Sequence, residues 1–338
     1  MENRELKRVF DQVKLSPERQ EAMLERLLSG ERSGKTVKPM KKMVAVLVAA
    51  ALMLMACAFT VATGLDQRIV EYFKGEPKDA SLMSAGIVPV EQSHTYDNGW
   101  TVKIKQVLMD RNSIAALVEL TAPEGIVPEL EYRIFDMKPT ITSAHGEELL
   151  LGGMPRGIPL EDPDPEDNQA TILWSYDVLL GVEEMWGGSF TLTPRQFFWS
   201  TKEGPVQFSD GWSCTGTLPT EDAGLLYQMD EPFSLEGKEL GLKSIYISPI
   251  RFVFTLEACD PTMDTLHEER GSVSLTLEDG SIVKMEEGIY SASADQTGET
   301  DDCRIQFQPE KLVDPENVTA VTLYGQTFSL NGLQPVTE

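Results

Sequence analysis

The chain has few residues of the types that build metal centres, disulfide frameworks and histidine-based catalytic sites. Its 338 residues include only 3 His and 4 Cys. A disulfide-dense secreted miniprotein is excluded, because such scaffolds are short and rich in cysteine. The same scarcity gives no basis for a metal site or a cofactor, and we expect neither.

Positive charge is scarce as well. Lys and Arg total 29, whereas Asp and Glu total 54, and the formal net charge is −25. The phosphate backbone of a nucleic acid repels a polyanion of this kind. The charge balance therefore argues against a nucleic-acid partner.

The sequence also lacks the common catalytic motifs. It contains no G-x-S-x-G, H-E-x-x-H, Walker or Rossmann pattern, and His94, His145 and His267 stand alone on expected loops. The run at residues 161–167 has five carboxylates, but its spacing is not that of an EF-hand loop. We interpret the run as a solvated acidic loop, with a weak calcium site as the alternative. The chain is not expected to be an enzyme.

What the sequence does contain is one long apolar run near its N-terminus. Residues 43–65 are 23 consecutive uncharged residues, which as a helix would span roughly 35 Å, and a bilayer core needs about 30 Å. We therefore predict a transmembrane helix over residues 43–65. Three alternatives are a buried helix of a soluble core, a cleaved signal peptide, and a lipoprotein with the lipobox Leu54-Met55-Ala56-Cys57.

The basic residues predict the orientation of this helix. Residues 1–42 hold 11 of the 29 Lys and Arg but 7 of the 54 Asp and Glu, so 18 basic and 47 acidic residues follow the span. Short segments rich in Lys and Arg stay in the cytoplasm. We expect a single-pass protein of the cell membrane, with a cytoplasmic N-terminus and residues 66–338 outside.

The cytoplasmic segment, residues 1–42, is predicted to form a short helical arm. Four apolar residues share one helical stripe, and a second helix over residues 17–28 begins with Ser16 as N-cap and Pro17 at its first position. Two helices this short are unstable alone, so their apolar stripes favour a partner, and a loosely ordered juxtamembrane helix is the alternative. The candidate partner-binding residues are Leu6, Val9, Phe10, Val13, Leu24, Leu27 and Leu28.

Beyond a linker at residues 66–90, the sequence is typical of β-structure. Short alternating segments separated by Gly, Pro, Asp and Asn predict two β-sandwich domains, at residues 91–215 and 216–338. An Asp-Gly pair at residues 279–280 predicts a hairpin turn. The predicted strands cover residues 100–107, 114–120, 132–135, 171–179, 189–192, 206–218, 240–247, 251–257, 273–277, 282–285, 304–307, 318–324 and 327–330.

Three cysteines follow the predicted span, namely Cys214, Cys259 and Cys303. An odd number allows one disulfide bond and one thiol in an oxidising exterior. The sequence alone does not fix the pairing. If a bond forms, Cys259–Cys303 is the expected pair, because both residues belong to the second domain.

Several motifs accompany the predicted helical start and membrane span. They are Asp97-Asn98-Gly99, Asp110-Arg111-Asn112, Ile247-Ser248-Pro249-Ile250, and residues 120–125 and 164–168. With these motifs the chain resembles anti-sigma-factor-like, single-pass membrane proteins of Gram-positive bacteria that carry an extracytoplasmic domain of unknown function with an immunoglobulin-like fold.

The resemblance implies a mainly β chain with two extracytoplasmic immunoglobulin-like β-sandwich modules, one transmembrane helix and a short cytoplasmic helical arm. It also implies that an unknown extracytoplasmic ligand is sensed and that the arm binds an extracytoplasmic-function sigma factor. Zinc-type anti-sigma domains use a His and a Cys-x-x-Cys in the arm, but residues 1–42 contain no His or Cys. The alternative is a membrane-tethered extracellular binding or scaffold module without sigma binding.

Overall fold

The computed structural model describes residues 65–128, 134–149, 153–161, 164, 166–178, 185–198, 206–207, 211–235, 237–257, 272–291 and 302–336. The predicted cytoplasmic arm and all of the predicted span except Leu65 lie outside these ranges. Across the described ranges, no helix has both the length and the apolar character needed to cross a bilayer.

The described part of the chain is mainly β, as the sequence predicts. One α-helix, α1 (Gln67–Tyr72), and 3₁₀ segments at Pro77–Gly86 and Pro315–Asn317 accompany the strands. The strands are β1 (Ile87–Thr95), β2 (Thr101–Asp110), β3 (Ser113–Thr121), β4 (Ile134–Thr142), β5 (Glu148–Leu149), β6 (Gly153–Pro159), β7 (Gln169–Val178), β8 (Ser189–Phe198), β9 (Val206–Gln207), β10 (Cys214–Thr217), β11 (Leu225–Leu235), β12 (Lys238–Ile247), β13 (Phe252–Glu257), β14 (Ser274–Leu277), β15 (Ile282–Ser291), β16 (Cys303–Pro309), β17 (Val318–Leu323) and β18 (Gln326–Ser329).

Strands β1 to β10 form the first module, which has two antiparallel sheets. One sheet has the order β1-β2-β3-β7-β6, and the other has the order β10-β8-β4-β5 with β9 beside β8. Side chains from both sheets share one core, in which Ile104, Trp174 and Phe190 are almost fully buried. The two sheets therefore pack face to face through apolar side chains.

Strands β11 to β18 form the second module, an antiparallel sheet in the order β11-β12-β13-β16-β15-β14-β17-β18. Strand β15 pairs with β14 through its first residues and with β16 through its last residues. One core contains side chains from both halves of the sheet, including Phe254 and Phe307 from one half and Leu275 and Val321 from the other. The sheet therefore folds over on itself at β15.

The strands of the first module extend from Ile87 to Thr217, and those of the second from Leu225 to Ser329. Leu218 is buried in the first core, so the first module continues a few residues past the predicted boundary at 215. The described residues between 65 and 336 belong to a single compact unit. The two modules are therefore packed against each other rather than separated by a flexible linker.

The two described cysteines are buried in different cores. Cys214 is a free thiol in the first core, and burial raises the pKa of Cys214 to about 12. A thiol with so high a pKa stays protonated and unreactive near neutral pH. Cys303 lies in the second core. Cys259 lies outside the described ranges, and so does the predicted Cys259–Cys303 pair.

The residues expected to be a linker include a well-packed segment, residues 65–86, which we call the connecting segment. Helix α1 begins after Asp66, whose carboxylate accepts a hydrogen bond from the amide of Arg68 at 3.1 Å. It ends in a Schellman motif, in which the amide of Gly75 donates to the carbonyl of Val70 at 2.9 Å. Lys74 has the positive φ of 55° that this motif requires. Glycine is the usual residue there, because a side chain is strained in that conformation.

The connecting segment covers the outer face of the first sheet. In β3, Ile114, Ala116 and Val118 face the core between the two sheets. Ala115 and Leu117 point to the opposite face and belong to a third apolar cluster with the connecting segment. Strand β3 therefore lacks the alternation of a half-exposed strand because both of its faces are covered.

Candidate functional site at the junction of the two modules

The two modules meet through two tight turns, which form the centre of what we call the seam. One turn is residues 110–113, between β2 and β3, and the other is residues 248–251, between β12 and β13. The hydroxyl of Ser248 donates a hydrogen bond of 2.6 Å to Oδ2 of Asp110. The same Ser248 oxygen accepts from the amide of Arg251 at 2.9 Å. One side chain thus shapes its own turn and fixes it to the other module.

A second polar group of the seam contains Tyr246, Asp222 and Arg111. The Tyr246 hydroxyl donates to Oδ1 of Asp222 at 2.7 Å, and the amide of Gly224 donates to the same oxygen at 3.0 Å. The Arg111 guanidinium lies 6.0 Å from the centre of the Tyr246 ring, and its Nε lies 3.4 Å from Oδ2 of Asp222. Arg111 belongs to the first module, so these contacts also cross the seam.

A buried ion pair forms the third part of the seam. Arg251 donates from its guanidinium to Oδ1 of Asp177 at 2.7 Å, and the two side chains are 8% and 1% exposed. Arg156 approaches the other carboxylate oxygen, with its Nε 3.8 Å from Oδ2 of Asp177. Nε of Arg251 and Oδ2 of Asp177 are buried and have no hydrogen-bond partner in the part of the chain described here. Two guanidinium groups therefore share one carboxylate that is incompletely hydrogen-bonded.

Strand β16 adds two contacts to the seam. Gln306 donates from Nε2 to the carbonyl of Val178 at 2.9 Å, and Arg304 donates to Oδ1 of Asn112. Val178 ends β7 and Asn112 lies in the turn of the first module, so these bonds satisfy polar groups that the contact between modules removes from water.

Burial raises the pKa values of two carboxyl groups of the seam, Asp110 and Asp222. Desolvation raises the pKa of Asp110 and, reinforced by the charge of Asp110, raises the pKa of Asp222 to about 6. Desolvation also raises the pKa of Tyr246, and both nearby carboxylates add to the increase. The seam therefore disfavours negative charge on groups that water would otherwise stabilise.

Charged side chains attach the start of the connecting segment to the first sheet. The Arg68 guanidinium contacts the carboxylates of Asp66 at 2.9 Å and Glu119 at 3.0 Å, and Lys105 approaches the same two residues. Burial alone would raise the pKa of Asp66, but the hydrogen bonds from Arg68 outweigh it and lower that pKa to about 2. Asp66 is therefore ionised at neutral pH and holds helix α1 on the sheet.

Apolar packing joins the connecting segment to both modules. Ile69 and Val70 of α1 are fully buried in a cluster that contains Leu173 of the first module and Ile250 and Leu312 of the second. A Cβ atom added at Gly75 would lie 2.3 Å from Cδ1 of Leu312, so the chain there passes directly against the second module. The connecting segment is therefore the third member of the junction.

A cleft of about 220 Å³ opens where the connecting segment and the two modules come together. The connecting segment contributes two side chains to its lining, and each module contributes three. In that order, they are Tyr72 and Lys74, then Arg156, Ile158 and Ser175, then Arg251, Glu286 and Gln308. A molecule bound in this cleft would contact all three parts of the junction at once.

None of the residues predicted to bind a partner can be placed, since Leu6, Val9, Phe10, Val13, Leu24, Leu27 and Leu28 lie outside the described ranges.

His94 lies on β1 with its ring stacked on Trp212 at 5.6 Å, and His145 lies in the turn after β4. The described residues hold no cluster of His, Cys, Asp and Glu that could bind a metal ion. The acidic run at residues 161–167 is only partly described.

The sequence signals for the junction were present but were interpreted locally. Asp110-Arg111-Asn112 and Ile247-Ser248-Pro249-Ile250 were identified as separate motifs of two domains, and the structure brings them together at the seam. Arg156, Asp177 and Arg251 were not singled out, because single charged residues in strands and turns give no sign of their partners. The remaining clue was the unbroken apolar run in β3, which indicates a strand covered on both faces.

Comparison with models of protein families and with curated proteins finds no match. Among solved structures, the chain aligns with one described as "The crystal structure of the conserved domain protein from Bacillus anthracis". The TM-score is 0.40 with 13% sequence identity, over 70% of this chain and 75% of that chain. A likeness at this level assigns neither a family nor a function.

Proposed function

We propose that this chain is a single-pass membrane regulator of the anti-sigma-factor-like type. In this proposal, residues 43–65 span the membrane and residues 66–338 form two immunoglobulin-like sandwich modules outside the cell. The arm at residues 1–42 then sequesters an extracytoplasmic-function sigma factor. A change at the modules would reach the arm through the connecting segment and through regulated proteolysis near the membrane.

The observation that carries this proposal is the burial of the connecting segment at the junction. Residues that immediately follow the proposed span are packed against both modules through Ile69 and Val70, and Leu65, the last residue of that span, lies in the same buried cluster. A passive tether would not need such packing, because an exposed linker suffices to hold a domain near a membrane. A docked segment, in contrast, can be released when the junction changes, and release would expose it to a protease.

Co-purification of the sigma factor tests the proposal directly. The full-length chain, extracted from membranes in detergent, is expected to retain a sigma factor, and Leu24→Asp and Leu27→Asp are expected to lose it, because a carboxylate is costly in an apolar interface. Ala22→Asp adds the same charge on the polar side of the predicted helix and should retain the partner. Absence of any sigma factor, or equal recovery with all variants, would rule out sigma binding by the arm.

A second candidate function is extracellular binding without sigma control. The stacked rings of His94 and Trp212, both half-buried at the surface of the first module, favour it because aromatic faces can hold sugar rings of a wall polymer. Sedimentation of the detergent-extracted chain with purified peptidoglycan distinguishes the two functions. Loss of that binding in Trp212→Ala, with no sigma factor bound to the native chain, would favour the tethered binding module.

A further inference from the structure

The junction cleft concentrates positive charge in a strongly acidic part of the chain. Only 18 Lys and Arg follow the apolar run, against 47 Asp and Glu, yet Lys74, Arg156 and Arg251 all line this one cleft. Glu286 is the acidic residue of the lining, and it forms an ion pair with Lys74. The net charge of the lining is therefore opposite in sign to that of the chain that follows the apolar run.

Pairing within the cleft does not neutralise the two arginines. Arg251 and Arg156 both approach Asp177, at 2.7 Å and 3.8 Å, so two positive charges face one carboxylate. Arg251 is more than nine-tenths buried, and its Nε has no hydrogen-bond partner among the described residues. Arg156 is 44% exposed, so its guanidinium is open to a ligand. The lining residues and Asp177 together thus carry three positive and two negative charges.

The neutral groups around these arginines suit a small ligand. Tyr72, Ser175 and Gln308 offer hydroxyl and amide groups, while Ile158 forms an apolar wall. Burial raises the pKa of Tyr72, so its hydroxyl remains a neutral donor near pH 7. Drug-sized ligands occupy pockets of roughly 300–1,000 Å³, and the cleft measures about 220 Å³. Its dimensions match a small molecule or a single anionic group.

The backbone at Lys74 provides independent support for a role of its side chain. Lys74 has a φ of 55° at the position after the end of α1 where glycine is strongly preferred. Holding a lysine there costs roughly 1 kcal/mol of conformational energy. The strain places a cation at the edge of the cleft, and strained positions of this kind are concentrated at functional sites.

We propose that the junction cleft binds a small molecule that carries a carboxylate or phosphate group, with Arg156 and Arg251 as its main ligands. Guanidinium groups match the geometry of these oxyanions through paired N–H donors. The bound anion would bridge the connecting segment and both modules. Anion binding itself does not depend on the proposed function. Only its regulatory role rests on that function, in which the bound anion holds the connecting segment in place.

Thermal unfolding of the full-length chain in detergent tests the proposal with two probes, acetate for a carboxylate and inorganic phosphate for a phosphate. A ligand that binds the folded state raises the melting temperature with its concentration. We expect at least one probe to do so beyond the effect of sodium chloride at equal ionic strength. The probe that stabilises more strongly identifies the preferred group.

Matched variants locate the binding. Arg156→Gln is expected to weaken the affinity about tenfold or more, the loss expected for a charge-assisted hydrogen bond. Lys74→Gly also removes a cation, but it suits the backbone at this position, so this variant should fold and still bind more weakly. Arg195→Gln makes the same charge change at an exposed residue of β8, in the other sheet of the first module, and should bind like the native chain.

Two results would overturn the anion site. One is no stabilisation beyond that of sodium chloride with either probe, and the other is equal stabilisation of the native chain, Arg156→Gln and Lys74→Gly. Because the measurement uses no sigma factor, its failure leaves the proposed function in place. Conversely, absence of a sigma factor in the co-purification would leave the anion site unaffected.

Discussion

Individual charged residues at the seam fix how the two modules are placed. Asp110, Asp177 and Arg251 are almost completely excluded from solvent. Removing one partner of such a buried pair costs about 3–5 kcal/mol, because the other charge is left uncompensated. Apolar contacts alone would tolerate small sliding, whereas these hydrogen bonds are satisfied in one arrangement of the modules. The seam therefore defines one relative position.

Asp222 makes the stability of the seam depend on pH. Its pKa rises from the ordinary 3.8 to about 6 in the fold, so the folded chain takes up a proton more readily than the unfolded one. The contribution of Asp222 to the free energy of unfolding should increase by about 2 kcal/mol as the pH falls from 7 to 4. The groups that face Asp222 are Asp110, Arg111 and Tyr246.

Melting temperatures of the native chain and of Asp222→Asn, measured across this pH range, check the prediction. Asparagine keeps an acceptor for Tyr246 but does not titrate. The difference in melting temperature between the two proteins should therefore shrink as the pH falls, because Asp222 becomes neutral like asparagine. Asp66 has a lowered pKa of about 2 and loses its stabilising charge only below the tested range. A constant difference from pH 7 to pH 4 would contradict the prediction.

Ser248 provides a second test at single-residue resolution. Ser248→Ala removes the 2.6 Å hydrogen bond across the seam to Asp110 and should cost about 1–3 kcal/mol, because a buried carboxylate loses a donor. Ser113→Ala removes a 3.0 Å bond to the same carboxylate from within the first module. Calorimetry should show the two modules melting separately only in Ser248→Ala. Separate melting in both variants, or in neither, would contradict a coupling role for the seam.

At the level of elements, the connecting segment acts as a cover for the first sheet. Its residues Leu65, Ile69, Val70 and Phe73 are buried, as are the β-strand side chains below them. Removal of the segment would expose apolar residues on the outer face of β2 and β3 to water. Docking of the segment is therefore stabilised by the hydrophobic effect in addition to its ion pairs.

Substitution of Ile69 tests this docking. Ile69→Ala should cost about 2–5 kcal/mol, since it leaves a cavity in a well-packed cluster, and it should increase amide hydrogen exchange over residues 67–86. Glu71→Ala lies on the exposed side of the same helix and should change stability by no more than about 0.5 kcal/mol. Unchanged exchange in Ile69→Ala would show that the cluster does not hold the segment.

The sequence predicted most of the central strands and the edge strand β18, but it missed three long edge strands. Strands β2, β3, β7, β12, β13 and β16 were expected near their observed positions, because their apolar patterns are strong. Strands β1, β6 and β11 were missed, and each contains proline, at Pro89, at Pro155 and Pro159, and at Pro232. All three lie at sheet edges, where a residue without an amide hydrogen is tolerated.

The junction itself could not be predicted from the sequence. Its ion pair joins Asp177 to Arg251, and its central hydrogen bond joins Asp110 to Ser248. Contacts between residues so distant in sequence depend on how whole sheets pack, and no local pattern encodes them. The connecting segment was expected to be a linker because α1 is too short for a clear helical period.

At the scale of the whole molecule, the central feature is that three parts of the chain share one junction. The connecting segment contacts the second module through Gly75 and Leu312, and it contacts the first through Ile69 and Leu173. A change in either module, or in an anion between them, would therefore alter the attachment of the residues that follow the predicted span. In the proposed function, this arrangement would couple the two modules to the arm at residues 1–42.

The most direct test is cell fractionation of the full-length chain with an epitope tag at its N-terminus. The native chain and Ser81→Asp, which adds a charge at an exposed site of the connecting segment, should stay full-length in the membrane fraction. Ile69→Asp places the same charge in the buried cluster and should yield a tagged fragment that ends before residue 90. Native chain in the soluble fraction, or uncleaved Ile69→Asp in the membrane fraction, would contradict the account.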